Sequence, residues 1–193
     1  MILERVKKYK GSLGTFEYNT RDFELMVKYT ATGRFDILHY RGGETDGSKI
    51  VIPKGITNCS YMFEKQSLVT PPVIPLGVVN TSYMFKDCKS LVRAAVLPFG
   101  VVKTSFMYQG CRSLTEVFPL PDSVKEAGYM FDKCVRLTTP PALSASLVHC
   151  SGMFRGCYRL ETMPELPATV RRADSFLRGC YALEEQMIMV ENT

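Results

Sequence analysis

The chain has 193 residues, of which 46% are hydrophobic and 22% charged, with a formal net charge of +5. That balance belongs to one folded domain rather than to a disordered segment, and the charge is moderate beside that of nucleic-acid-binding proteins. No apolar run approaches the roughly 18 residues of a membrane span, so membrane insertion is not expected.

The first ten residues, Met1 to Lys10, hold no apolar stretch long enough for a signal peptide, and no lipobox-like cysteine lies near them. A cytoplasmic location is expected, of a bacterium or of a phage-infected bacterium, or the cell surface if an export signal has been removed. Residues 1–49 carry no repeat. Within them Thr15 to Tyr18, Phe23 to Thr30 and Phe35 to Tyr40 are predicted as strands, with a hairpin turn at Thr32-Gly33-Arg34. A small β cap fits that place, because the first coil of a stack otherwise offers an open edge.

From residue 50 to 185 a period of 23 takes over. Cysteine recurs at Cys88, Cys111, Cys134, Cys157 and Cys180, and leucine at Leu68, Leu91, Leu114, Leu137, Leu160 and Leu183. Proline recurs at Pro75, Pro98, Pro121 and Pro167, with Ser144 in the gap. Three residues further on come Val78, Val101, Val124, Leu147 and Val170. A Met-aromatic pair precedes four of the cysteines, as in Met84-Phe85 and Met130-Phe131, and becomes Phe176-Leu177 in the last unit. The first copy, Met62 to Leu68, is one residue short and lacks the ladder cysteine. A fixed period with imperfect end copies predicts a solenoid of about six coils, capped at its ends.

No single unit has enough apolar side chains for a core, whereas stacked columns bury one another. Leu114 to Pro119 and Val101 to Ser105 are too short for helices and read as rungs of parallel sheet. The Met-Phe-x-x-Cys segment reads as a turn or one helical turn that plugs its aromatic residue inward. Phe131 is expected to be such a plug between two coils. Phe63 is expected to matter less, one of its neighbours being only a cap. At about 4.8 Å per strand the stack would be roughly 29 Å long. Residues 186–193 are left as a tail.

Units of this period, with an aromatic-x-x-Cys-x-x-Leu core followed by Leu-Pro-x-x-Val, resemble the BspA-like class of bacterial leucine-rich repeats. The entry segments Ile37 to Gly43 and Ile50 to Ile56 resemble that family's lead-in to its first coil. The Ser-Tyr-Met-Phe form at Ser60 and Ser82 is similar to repeats of mycoplasma-type surface lipoproteins. The likeness spans about residues 38 to 185. It implies a β-rich leucine-rich repeat solenoid with an N-terminal β cap, and a role in adhesion or protein binding. Surface relatives are longer and anchored, and this chain departs from them in its size.

The seven cysteines are an odd number. A repeated cysteine in one core column is explained by packing as a small hydrophobe; a bridge between neighbouring coils or a metal site is the alternative. Zinc needs four convergent ligands, but the ladder is linear and the only imidazoles are His39 and His149. Cys150 shares its column with Thr81, Thr104 and Ala127, a set of small packing residues. The two histidines are far apart in the chain and neither sits in a nucleophile motif, Gly11 to Gly14 is not a phosphate loop, and Glu184-Glu185 reads as solvated. No enzyme, cofactor, metal or small-molecule substrate is expected.

Charge placement is the remaining clue. Arg155, Arg159, Arg171, Arg172 and Arg178 gather in the last two coils. Arg112, Arg136 and Arg159 follow the cysteine by one or two residues, and Lys103, His149 and Arg172 share a column with Asn80 and Glu126. These nine residues are the candidate partner-binding set, expected to lie side by side on one face. Such a face either keeps the stack soluble or binds an acidic protein, with RNA as another possibility. The expectation is a non-enzymatic binding scaffold, an inhibitor or adaptor that occludes a partner, as a phage or mobile-element protein acting on a host bacterial complex would. An adhesin or surface-lipoprotein fragment and an RNA-binding protein are the alternatives.

Overall fold

Alternating apolar and polar residues between Gly14 and Gly42 suit an antiparallel sheet with two different faces. The computed structural model of the chain describes residues 14–19, 23–29, 35–52 and 54–183. Strands β1 (Gly14–Asn19), β2 (Phe23–Tyr29) and β3 (Phe35–Gly42) pair antiparallel in that order, over ranges close to those expected from the sequence. A register shift opposite Met26 and Val27, which pair with His39 and Ile37, marks a bulge at Leu38 in β3. The turn expected at Thr32-Gly33-Arg34 and the tail 186–193 lie outside the described residues.

Strand β4 (Ile56–Asn58) joins β3 in parallel and so carries the sheet into the repeat region. Beyond it the chain returns once per repeat to the same place. Parallel bridges run Asn58 to Asn80, Lys103, Glu126, His149 and Arg172 in succession. A second line of parallel bridges links Asp46 to Thr70, and Arg93 to Glu116. Successive units therefore lie side by side and in register.

The rungs are shorter than the sequence suggests. Where Val101 to Ser105 and Leu114 to Pro119 are expected as strands, each contributes one bridging residue, Lys103 or Glu116. The cause is local. Pro119 and Pro121 have no amide to donate, and Phe106 turns the backbone into the left-handed region at φ 60°.

The turn at Met-Phe-x-x-Cys carries most of the cross-unit bonding. Within one unit the amides of Thr81, Tyr83, Phe85 and Asp87 donate to the carbonyls of Lys103, Ser105, Met107 and Gln109 at 2.7–3.0 Å. The intervening amides close turns inside the unit, as Cys88 to the Phe85 carbonyl at 3.0 Å. The same scheme repeats through the units that begin at Thr104, Ala127 and Cys150. It is one answer, used again each period, to the rule that buried backbone groups must be paired.

Two aromatic columns follow. In the inner one, Tyr40, Phe63, Phe85, Tyr108, Phe131 and Phe154 are all buried, with successive ring centres 5.0–5.6 Å apart. The expectation for Phe63 is corrected here. Tyr40, from β3, lies against it at 5.0 Å, so Phe63 has an aromatic neighbour on both sides and is as buried as Phe131. The hydroxyl of Tyr108, the one phenol among the phenylalanines of the repeats, accepts the Ala95 amide at 2.9 Å. Pro72, Pro141 and Pro164 hold the position of Ala95 in other units and could not donate.

The ladder cysteines sit behind this column. Cys88, Cys111, Cys134, Cys157 and Cys180 are buried, and each thiol donates to a carbonyl of the preceding unit at 3.0–3.2 Å. All seven cysteines are free thiols. Cys150 does what Thr81 and Thr104 do in its column: its thiol reaches the Arg172 carbonyl at 3.5 Å, as their hydroxyls reach Lys103 and Glu126.

Candidate binding surfaces

The turn side of the stack presents the second set of rings. Tyr61, Tyr83, Phe106 and Tyr129 all adopt left-handed backbone, φ 55–62°, and stack near-parallel with centres 4.4–5.0 Å apart. Left-handed backbone costs a non-glycine residue about 1–2 kcal/mol. Here the stacked rings and the cross-unit hydrogen bonds offset it. The column ends at Gly152, also left-handed, where any Cβ would run into the Tyr129 ring.

Beside the rings runs a polar column with complementary neighbours. Lys86 pairs with Glu64 at 3.7 Å. Gln109 donates to Asp132 at 2.7 Å, and Arg155 binds both oxygens of Asp132 at 2.9 and 3.0 Å while lying over the Tyr129 ring. Asp132 is fully buried. Arg155, one of the nine candidates, is thus tied into the fold. Arg155→Ala should lower stability by about 2–3 kcal/mol, because a buried carboxylate loses its cation. Urea melts of the variant check this, and a loss under about 0.5 kcal/mol would show that the pair is only a surface contact.

The nine candidates do not form one face. Lys103, His149 and Arg172 do share a column, but it alternates in charge: Glu126 lies between Lys103 and His149 and pairs with Lys103 at 3.4 Å. His149 is half-buried, its Nδ1 inside and without a hydrogen-bond partner among the described residues. Arg136 and Arg159 are stacked neighbours at the corner after the cysteine, and Arg112 is one residue out of their column. Arg178 follows Arg155 in the polar column of the turn side. Six of the nine, Arg112, Arg136, Arg159, Arg171, Arg172 and Arg178, are exposed, and among the described residues none has a carboxylate at ion-pair distance. They stand in separate columns because a period of 23 fixes which residues neighbour each other, not which corner of the coil they occupy.

A third side was not singled out from the sequence. The segments 69–76, 92–99, 115–122, 138–145 and 161–168 run between the Cys-x-x-Leu corner and the next turn. They carry only five charged residues: Arg93, Glu116, Asp122, Glu161 and Glu165. Arg93 and Glu116 pair at 3.6 Å, with the guanidinium over Phe118. Val73, Leu76, Val96 and Phe99 are 80, 76, 65 and 76% exposed. In the same columns later units place Pro119, Ala142 and Glu165, and Asp122, Ala145 and Ala168. The fold accepts polar or small residues there, so folding does not explain the large apolar ones. That contrast between copies is the signal that could have found them.

The same side opens into a cleft of about 450 Å³ between the fourth and fifth segments, lined by Pro140, Pro141, Leu143, Met163, Leu166 and Pro167 among others. The third and fourth segments are bonded there, Leu120 to the Ala142 carbonyl at 3.0 Å, whereas the fourth and fifth are bonded at their start, Glu161 to the Thr138 carbonyl at 2.8 Å. Along the cleft four prolines remove the donors that would draw its two walls together.

Among the described residues no cluster of three or more His, Cys, Asp or Glu side chains is placed to hold a metal ion. No helix of the described residues is long and apolar enough to cross a membrane. No family model, curated protein or solved structure matches the chain.

Proposed function

We propose that the chain is a leucine-rich repeat solenoid with an N-terminal β cap, similar to the BspA-like repeats, and that it acts without catalysis by holding a partner protein through an acidic surface. The observation that carries the reading is the set of six exposed arginines with no carboxylate among the described residues at ion-pair distance. Cations left unpaired on a regular stack do little for folding and are free for bidentate contacts to carboxylates. The role that suits such a compact scaffold is occlusion or retention of the partner, as by an inhibitor or adaptor of phage or mobile-element origin acting on a bacterial complex; this step is by analogy with small binding proteins.

The test is Arg171→Glu with Arg172→Glu. Each change should alter stability by no more than about 0.5 kcal/mol, as for exposed positions. Capture of the partner from the native host should fall, with association slowed about tenfold or more as steering is lost. Unchanged capture by a folded double mutant would reject the arginine surface. Binding to random RNA that falls steeply with salt would instead assign the same arginines to phosphate.

A further inference from the structure

We propose that the charge-poor, proline-rich side of the stack is a self-association face, on which Phe99 of each copy enters the cleft between segments 138–145 and 161–168 of a second copy. The inference is independent of the arginine surface.

The first argument is complementarity within one face. Phe99 stands at the tip of a Pro-Phe-Gly turn, closed by the Val101 amide on the Pro98 carbonyl at 3.4 Å, and is 76% exposed. The cleft holds about 450 Å³. A cavity of about 150 Å³ is enough for a benzene molecule. The walls are proline, alanine, leucine and methionine, with Glu165 the one charged residue among them. Knob and cleft thus lie on the same side of the same chain.

The second argument is symmetry. Segment 92–99 is the second of five, and the cleft lies between the fourth and fifth. With segments about 4.8 Å apart, knob and cleft are separated by about 12 Å along the stack. A two-fold axis lying in the interface, parallel to the segments and over segment 115–122, exchanges them. Two copies packed antiparallel make the knob-into-cleft contact twice and leave nothing open to continue a fibre. Leu76 of each copy then falls near Leu166 at the rim.

The third argument is size and charge. Five segments span about 24 Å, and eight extended residues about 26 Å. The face covers roughly 600 Å² per copy, or roughly 1,200 Å² in the pair, the lower bound for specific interfaces. Interfaces of this size include weak, reversible ones, which sets the concentration range of the test. Near the axis Arg93 is already neutralised by Glu116, so closure there does not strand a cation.

The experiment is sedimentation velocity on the full chain from low micromolar to millimolar concentration. The wild type should pass from monomer to dimer, without larger species. Phe99→Asp introduces the residue that Asp122 already supplies at the same turn, so it should fold normally, and its self-association should weaken by at least about thirtyfold. Leu166→Asp, on the cleft, should do the same. An equimolar mixture of the two variants should associate more strongly than either alone, because one intact knob then meets one intact cleft. A wild type that stays monomeric at millimolar concentration overturns the proposal, as does a dimer that tolerates Phe99→Asp. Loss of dimer without recovery in the mixture rejects the knob-into-cleft pairing.

Discussion

Raising the pH should unfold the protein cooperatively between about pH 9.5 and 10.5, through thiols that the fold keeps protonated. Burial pushes the Cys88 thiol up to about 12. Burial likewise holds Cys111, Cys134 and Cys157 above the usual thiol range and pushes Cys150 up to about 11. In the unfolded chain a thiol titrates near about 8.5. Above that pH the unfolded chain releases protons that the folded chain keeps. The stability these groups contribute is complete below about pH 8.5 and is lost as pH rises toward their folded values. Each thiol gives a slope of about 1.4 kcal/mol per pH unit once its unfolded form is ionised, so five give about 7 kcal/mol per unit. A domain is stable by about 5–15 kcal/mol, which one to two units of pH would exhaust. The buried Tyr108 phenol, held well above its ordinary range by burial, acts in the same direction. A circular-dichroism titration reads the transition. Cys134→Ala should reduce its steepness by about a fifth, one thiol proton of five, whatever its effect on the midpoint. A fold that persists beyond about pH 11 would show that the thiols are not sealed from water.

The thiol, leucine and aromatic columns were readable in advance because stacking makes equivalent positions neighbours. When Cys recurs once per period in parallel, in-register units, its copies must meet. The same rule brings Lys103, Glu126, His149 and Arg172 into one line, and would have paired Asp132 with Arg155, one period apart. It is silent on backbone conformation. Nothing in the recurrence of Tyr61, Tyr83, Phe106 and Tyr129 says that these residues lie in the left-handed region, where their rings leave the core and stack on the outside. It is silent also on direction around the coil, which is why the arginines read as one face and stand in several columns. The apolar side was obscured for another reason. A search for recurrence rewards what stays the same, whereas Leu76 and Phe99 matter where copies differ: the turn holds with Asp122, Ala145 and Ala168 in the same place. Tyr108 shows the converse. Its departure from phenylalanine is compensated within the fold by the amide of Ala95, and so implies no ligand.

Phe131→Ala should cost about 3–5 kcal/mol, the range for removing a fully packed phenylalanine. Its ring lies between Tyr108 at 5.6 Å and Phe154 at 5.5 Å, and the truncation leaves a void that two neighbouring units line. Those units are held in register by backbone bonds on the turn side, such as Phe131 to the Met153 carbonyl at 2.9 Å, so they cannot close onto the space. Phe63→Ala should fall in the same range, because Tyr40 of β3 closes its outer side as fully as a further repeat would. Phe176→Ala should cost least of the three. It is 8% exposed, and among the described residues its one ring contact is edge-on to Phe154. Urea melts of the three variants at one pH give the order directly. If Phe63→Ala were the mildest, the β sheet would be a loose cover and not the first layer of the stack. If Phe131→Ala were no worse than Phe176→Ala, the aromatic column would not be a continuous core, and the stability of each unit would have to come from its own turn.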